Sequence, residues 1–217
     1  MAARKTEGGA APFVPAAERL DTLRKAAASC EGCDLYKQAT QTVFGEGPPR
    51  ARVMLVGEQP GDQEDLQGAP FVGPAGDVLN RALAEAGLAR DDVYLTNAVK
   101  HFKWEPRGKR RIHQKPRLSE MRACRPWLEA EIRAVQPAVI VCLGSTAAQS
   151  LMGPQFRITK SRGQVLESAW APALVATFHP SAVLRAETPE ARDETYQSLT
   201  SDLAVAAGAA KSLKADG

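Results

Sequence analysis

The sequence predicts an α/β fold, a three-layer αβα sandwich with a central four-stranded parallel sheet. Three observations predict it. Four short runs rich in β-branched residues and leucine lack strict apolar–polar alternation, which marks strands buried on both faces. Helical periodicity fills the intervals, and strands alternating with helices build a parallel sheet covered on both sides. The length of 217 residues, with 44% hydrophobic and 24% charged side chains, suffices for one sizeable core.

The elements follow in order. Residues 1–14 read as a flexible tail: Arg4 and Lys5 precede no apolar segment, so a secretory leader is not expected. One domain spans 15–208, and 209–217 reads as a second tail. The first strand is Arg52–Val56. A helix over Asp77–Ala86 places Val78, Leu79, Ala82 and Leu83 on one face, and Val93–Thr96 is the second strand. Leu118–Val135 is a longer helix carrying Met121, Trp127, Leu128 and Ile132. Ala138–Leu143 is the third strand, followed by a short helix over Gly144–Leu151. Arg157–Thr159 and Gln164–Glu167 pair as a small antiparallel hairpin. Ala173–Thr177 is the fourth strand, and Pro189–Ala207 the closing helix. No apolar run approaches the roughly 18 residues that span a bilayer. A monomeric cytoplasmic protein with reduced thiols and no membrane partner is expected.

Ligands of open parallel sheets bind beyond the carboxyl ends of the strands. Those positions hold Gly57-Glu58-Gln59-Pro60-Gly61-Asp62, Asn97, Gly144-Ser145 and His179-Pro180-Ser181. Gly57 lets backbone N–H groups approach a ligand closely. Asn97 offers a donor and an acceptor, which suits a nucleobase edge, though it also suits a strand-end cap. Phe71, in the glycine-rich loop 68–76, is a stacking surface or a core residue. Charge is uneven. Lys100 to Arg117 holds eight basic residues and one acid, a net +7 on a body of −4. Phe102, Trp104 and His113 are interleaved with that charge, which favours a polyanion partner over a solvated loop.

Cys30 and Cys33 have chelate spacing; Cys124 and Cys142 lie far apart and need tertiary folding to join them. The four either hold a metal or cluster, or the second pair are core thiols. Of the three histidines, His113 lies among arginines and lysines that keep its ring neutral and nucleophilic. His179 stands at a strand end, placed to donate to an anion, and His101 reads as packing or a phosphate contact.

Together, Cys30-x-x-Cys33 with Cys124 and Cys142, Gly-Glu-Gln-Pro-Gly-Asp-x-Glu-Asp, Pro-Phe-Val-Gly-Pro-Ala-Gly, Thr-Asn-Ala-Val-Lys and His179-Pro-Ser resemble the uracil-DNA glycosylase superfamily. They are most similar to its iron–sulfur family 4 branch. Gln59, where that branch has a small residue, and the Lys109–Gln114 insertion resemble the UdgX subgroup. The resemblance implies a 4Fe–4S cluster on Cys30, Cys33, Cys124 and Cys142. It also implies excision of uracil from DNA, single-stranded by preference because flipping costs least there, in a nucleoid-associated protein that releases uracil. Phe71, Asn97 and Gly57 would bind uracil, with His179 stabilising its anion. His113 would become covalently joined to the abasic deoxyribose, assisted by Glu58, Gln59 and Arg111. Lys109, Arg110, Lys115 and Ser181 would contact DNA. Two other readings stand beside it: a multiple-turnover glycosylase with water activated by Glu58 or Asp62, and a non-catalytic iron–sulfur DNA-binding protein.

Overall fold

The computed structural model describes residues 9–16 and 19–215. In chain order its first elements are α1 (Leu20–Ala27), β1 (Val53–Gly57), α2 (Asp62–Gln67), α3 (Pro74–Glu85), β2 (Val93–Asn97), β3 (Trp104–Arg107), β4 (Arg110–His113) and α4 (Leu118–Val135). Then come β5 (Val139–Leu143), α5 (Ser145–Met152), α6 (Ile158–Ser161), β6 (Val165–Leu166), β7 (Ala173–Thr177), α7 (Pro180–Arg185) and α8 (Pro189–Ala215). Among the described residues no helix is long and apolar enough to cross a membrane.

Every residue of β1, β2, β5 and β7 is buried, as the unbroken apolar runs predict. They pair in parallel, in the order β2-β1-β5-β7. Because successive side chains point to opposite faces, Leu55, Val141 and Val175 pack with Leu79, Leu83, Leu199 and Leu203 on one side. Met54, Val56, Ile140 and Cys142 pack with Leu128, Ile132, Ala147 and Leu151 on the other. This is the three-layer sandwich. A further cluster of Leu23, Ala27, Phe44 and Trp127 seats α1 against α4.

Four details differ from expectation. The 157–159 and 164–167 segments form no hairpin. Ile158 buries its side chain on the short helix α6, Gly163 turns the chain at φ 68°, and β6 pairs antiparallel with β7 as a fifth, edge strand. The basic segment is not a loop. β3 and β4 pair antiparallel, with Trp104 opposite His113 and Gly108 at φ 60° in the turn. The Ala-rich run after residue 203 carries α8 through Ala215 and buries Ala206, Ala207 and Ala210, so the boundary at 208 falls inside a helix. At the other end, Ala10 is buried and its N–H donates to Ala123 O at 2.7 Å. The expected tail therefore docks on α4 before residue 14, and its residues 1–8 lie outside those described.

Candidate active site

The carboxyl ends of the four parallel strands open into one cavity of about 800 Å³. Glu58 enters it from β1, Asn97 from β2, Thr146 from behind β5 and His179 from β7, while β4 brings His113 over from the hairpin. Gly57 is opposite Asn97 in the sheet, and a Cβ there would collide with Asn97 Oδ1 and the Phe71 ring. Gly57 thus lets those two groups close around one space. Phe71 is buried and held at φ 56°, a left-handed conformation that a bulky residue adopts only under constraint. Part of the constraint is Gly76, whose missing Cβ leaves room for the Phe71 carbonyl. The Phe71 ring lies 6.1 Å from that of His179.

His179 precedes α7, and its Nδ1 accepts from the Ser181 backbone N–H at 3.1 Å. Ser181 Oγ lies 2.7 Å from the same nitrogen and itself accepts from Arg185 Nη1 at 2.7 Å, which leaves the hydroxyl proton for Nδ1. With Nδ1 an acceptor, the ring proton sits on Nε2. Burial, reinforced by Arg185 and His113, pulls the His179 pKa down to about 4. A neutral imidazole with an Nε2–H donor therefore lines the cavity. Ser181, expected on DNA, is occupied in setting that tautomer.

The hairpin is fastened at two points. Gln59 Nε2 donates to Lys103 O and Gln114 O at 3.2 and 3.1 Å, and its Oε1 accepts from the Lys103 N–H at 3.3 Å. Arg111 donates to Asp62 Oδ1 and to the buried Asp65 Oδ2, each at 2.6 Å, and lies over the rings of Phe102 and Trp104. These contacts commit Asp62 to Arg111. His113 is half-exposed, with Nε2 3.4 Å from Glu58 Oε1. Partial burial lowers its pKa, Glu58 opposes that, and Arg185 adds to it.

The +7 segment is not all available to a polyanion. Lys100 is fully buried and pairs with Glu131, Lys103 pairs with Glu120, and Arg111 is spent as described. Arg107, Lys109, Arg110, Lys115 and Arg117 remain exposed, and Lys115 lines the cavity.

The cysteines divide three to one. Cys30, Cys33 and Cys124 share the α1–α4 cluster, and burial and proximity to Cys33 and Cys30 both raise the Cys124 pKa. Cys142 is in the middle layer among Val56, Ile140 and Ala176, and burial alone pushes its thiol up to about 12. It lies in a different cluster from the other three. Among the described residues no three His, Cys, Asp or Glu side chains form a set that could hold a single metal ion; a cluster spreads its ligands more widely. His101 is linked to these thiols through the backbone and Thr42. The Lys100 N–H donates to Cys124 Sγ at 3.2 Å, and His101 Nε2 meets Thr42 Oγ1 at 2.9 Å. Thr42 donates its own proton to Ala27 O, the carbonyl that also accepts from Cys30 N–H. Thr42 must therefore accept from His101 Nε2–H, which leaves the lone pair on Nδ1. His101 is buried, which excludes the expected phosphate contact.

Several site residues escape sequence reasoning. Thr146 hydrogen-bonds Glu58, one residue beyond the flagged Gly144-Ser145. Buried Glu64 accepts from Gly73 N–H at 3.4 Å in the cavity wall. Lys100 Nζ donates to Asn97 O at 2.7 Å and Thr96 Oγ1 at 2.6 Å, anchoring the end of β2.

Known proteins place this architecture. The family model of the uracil DNA glycosylase superfamily matches residues 44–200. A type-4 uracil-DNA glycosylase of Archaeoglobus fulgidus is 40% identical over 188 residues, covering 83% of this chain and 89% of the relative. One of Thermotoga maritima is 38% identical over 176 residues, covering 81% and 88%. A type-5 uracil-DNA glycosylase of Thermus thermophilus is 35% identical over 159 residues, covering 64% and 68%. With most of its sheet, its hairpin and its cavity inside these matches, the chain belongs to the uracil DNA glycosylase superfamily.

Proposed function

We propose that the protein excises uracil from DNA and joins itself to the resulting abasic deoxyribose through His113. The observation that carries this reading is a neutral imidazole, held over the cavity by a fastened hairpin, with Nε2 3.4 Å from a carboxylate. A flipped uracil would stack on Phe71 and present its edge to Asn97, at least cost from a single strand. Leu184, exposed at the cavity rim, is an apolar wedge for the gap left behind. Exposed Lys109, Arg110 and Lys115 would hold phosphates.

The C1′–N1 bond breaks with its electron pair leaving on uracil, whose anion accepts from His179 Nε2–H. The His113 Nε2 lone pair forms the new bond to C1′, so the ring gains a positive charge facing Glu58. The uracil anion then takes a proton from solvent. With the imidazole where water would attack, the adduct stays and the protein turns over once.

The residues also fit an iron–sulfur cluster. Cys30, Cys33 and Cys124 would hold it with His101 Nδ1, and Cys142 would not. When bound, the cluster would brace α1, α4 and the segment after β2; no step of the reaction passes through it.

The test is a denaturing gel of purified protein mixed with a uracil-containing single strand. A protein–DNA band that survives SDS and heat, and is lost in His113→Ala, is expected. Free uracil in molar excess over protein, with no such band, would show instead a multiple-turnover enzyme in which Glu58 activates water. Salt-sensitive binding without uracil release would leave only a DNA-binding role.

A further inference from the structure

Glu58 divides its two oxygens. Oε1 faces His113 Nε2 at 3.4 Å, and Oε2 accepts a short hydrogen bond from Thr146 Oγ1. Thr146 is 3% exposed in the first turn of α5, beside the buried Ala147 and Ala148. Its placement depends on the turn before it. Gly144 at φ 91° donates its N–H to Thr177 O at 2.8 Å, and its carbonyl accepts from Ala148 N–H. A Cβ on Gly144 would press on the His179 side chain, so the turn also fits against the anion-stabilising imidazole. The hydroxyl is thus fixed by packed secondary structure, whereas a glutamate side chain alone has three freely rotating torsions.

We infer that Thr146 is a positioning residue that acts on the reaction through Glu58, holding Oε1 toward His113. The inference rests on the reading of His113 as nucleophile and of Glu58 as its partner. Positive charge develops on the imidazole as the bond to C1′ forms, and a carboxylate already oriented stabilises that charge without reorganising. Released from Thr146, Glu58 would turn toward solvent or toward Arg185 or Lys115, the cations that also line this cavity.

Valine fills the volume of threonine without the hydroxyl; serine keeps the hydroxyl. Thr146→Val is expected to slow adduct formation at saturating DNA about 10- to 100-fold, leaving the DNA concentration for half-maximal rate unchanged. Thr146→Ser should restore most of the rate. The decisive measurement is a double-mutant cycle with Glu58→Gln. Thr146→Val should cost little in that background; the same loss there as in the wild type would overturn the proposal. Loss of DNA binding with an unchanged saturating rate would overturn it too. If Thr146→Val does not fold, as a thermal melt would show, Thr146→Ala and Thr146→Ser enter the same cycle. If the wild-type protein forms no adduct, the nucleophile reading fails. The cycle measured on uracil release then still decides whether Thr146 acts through Glu58.

Discussion

Gln59→Ala tests whether the hairpin determines what happens to the sugar. The glutamine side chain makes three hydrogen bonds to the two ends of the hairpin, at 3.1 to 3.3 Å. They are long, so each is taken at the lower end of the usual range, about 0.5 kcal/mol, giving roughly 1.5 kcal/mol together. That is about tenfold in the equilibrium constant between docked and undocked hairpin. It is not more, because Arg111 still grips Asp62 and Asp65. Uracil would contact Phe71, Asn97 and His179, whereas the hydrogen bonds of Gln59 go to Lys103 and Gln114, so base release should be nearly unaffected. The assay follows one sample by two readouts, released uracil and covalent adduct, under single-turnover conditions. Adduct formation should fall, by up to about tenfold, while uracil release holds. An equal fall in both would refute the reasoning, because it would mean that Gln59 shapes the base pocket and not the hairpin alone.

The remaining predictions concern cluster, charge and burial. Cys142→Ala should retain the iron content and visible absorbance of the purified wild-type protein, whereas Cys124→Ala and His101→Ala should lose both; loss on Cys142→Ala would restore the four-cysteine set. His179 is held near 4, against 6.5 unfolded. Between those values the unfolded chain takes up a proton that the native state refuses, so stability falls as pH drops, by about 2 kcal/mol at pH 5. Urea midpoints at pH 7 and 5 measure the slope, and His179→Gln should reduce it. Lys100→Met strands the Glu131 carboxylate, which is fully buried with Tyr94, Thr96 and Gly45 as its other partners. About 3 to 5 kcal/mol should be lost in urea unfolding, and Lys100→Met with Glu131→Gln should recover part of it. A single-variant loss below about 1 kcal/mol would show that the pair is not dry.

Much of the fold was legible because it depends on local pattern. The four parallel strands announce themselves as unbroken apolar runs, and the polar residues just beyond them, Glu58, Asn97 and His179, meet in one cavity as the rule for parallel sheets requires. What stayed hidden depends on pairs distant in sequence. Lys100 reads as part of a basic surface, but Glu131 on α4 pairs with it in the interior. Cys142 completed a count of four, yet its strand position turns it into the layer between sheet and α4, away from the other thiols. The hairpin leaves no pattern in the sequence because Arg107, Lys109 and Arg110 carry no apolar alternation. Its register is set by its ends: Gln59 ties Lys103 to Gln114, and Arg111 reaches the acids of α2. Thr146 acts only through a side chain of another element, Glu58, so its neighbours in sequence give no sign of it.

The arrangement separates two tasks onto separate elements. The sheet ends and the loop after α2 carry the groups that would recognise and expel a base: Phe71 and Asn97, buried in the sandwich, and His179, held by Ser181. The group that would meet the sugar comes from β4, a two-stranded sheet that shares no strand with the core. It is fastened by Gln59, by Arg111 with its two acids, by the Trp104 Nε1–H donated to Gln38 O at 3.0 Å, and by packing over Phe102. Altering those attachments should therefore change the fate of the sugar before it changes the choice of base. Altering Gly57 or Gly76 should do the reverse, because a side chain there meets Phe71 directly. Only Glu58 belongs to both, since it leaves the sheet beside Asn97 and ends beside His113. Its fixing by Thr146 is the contact through which the core would govern the hairpin's chemistry.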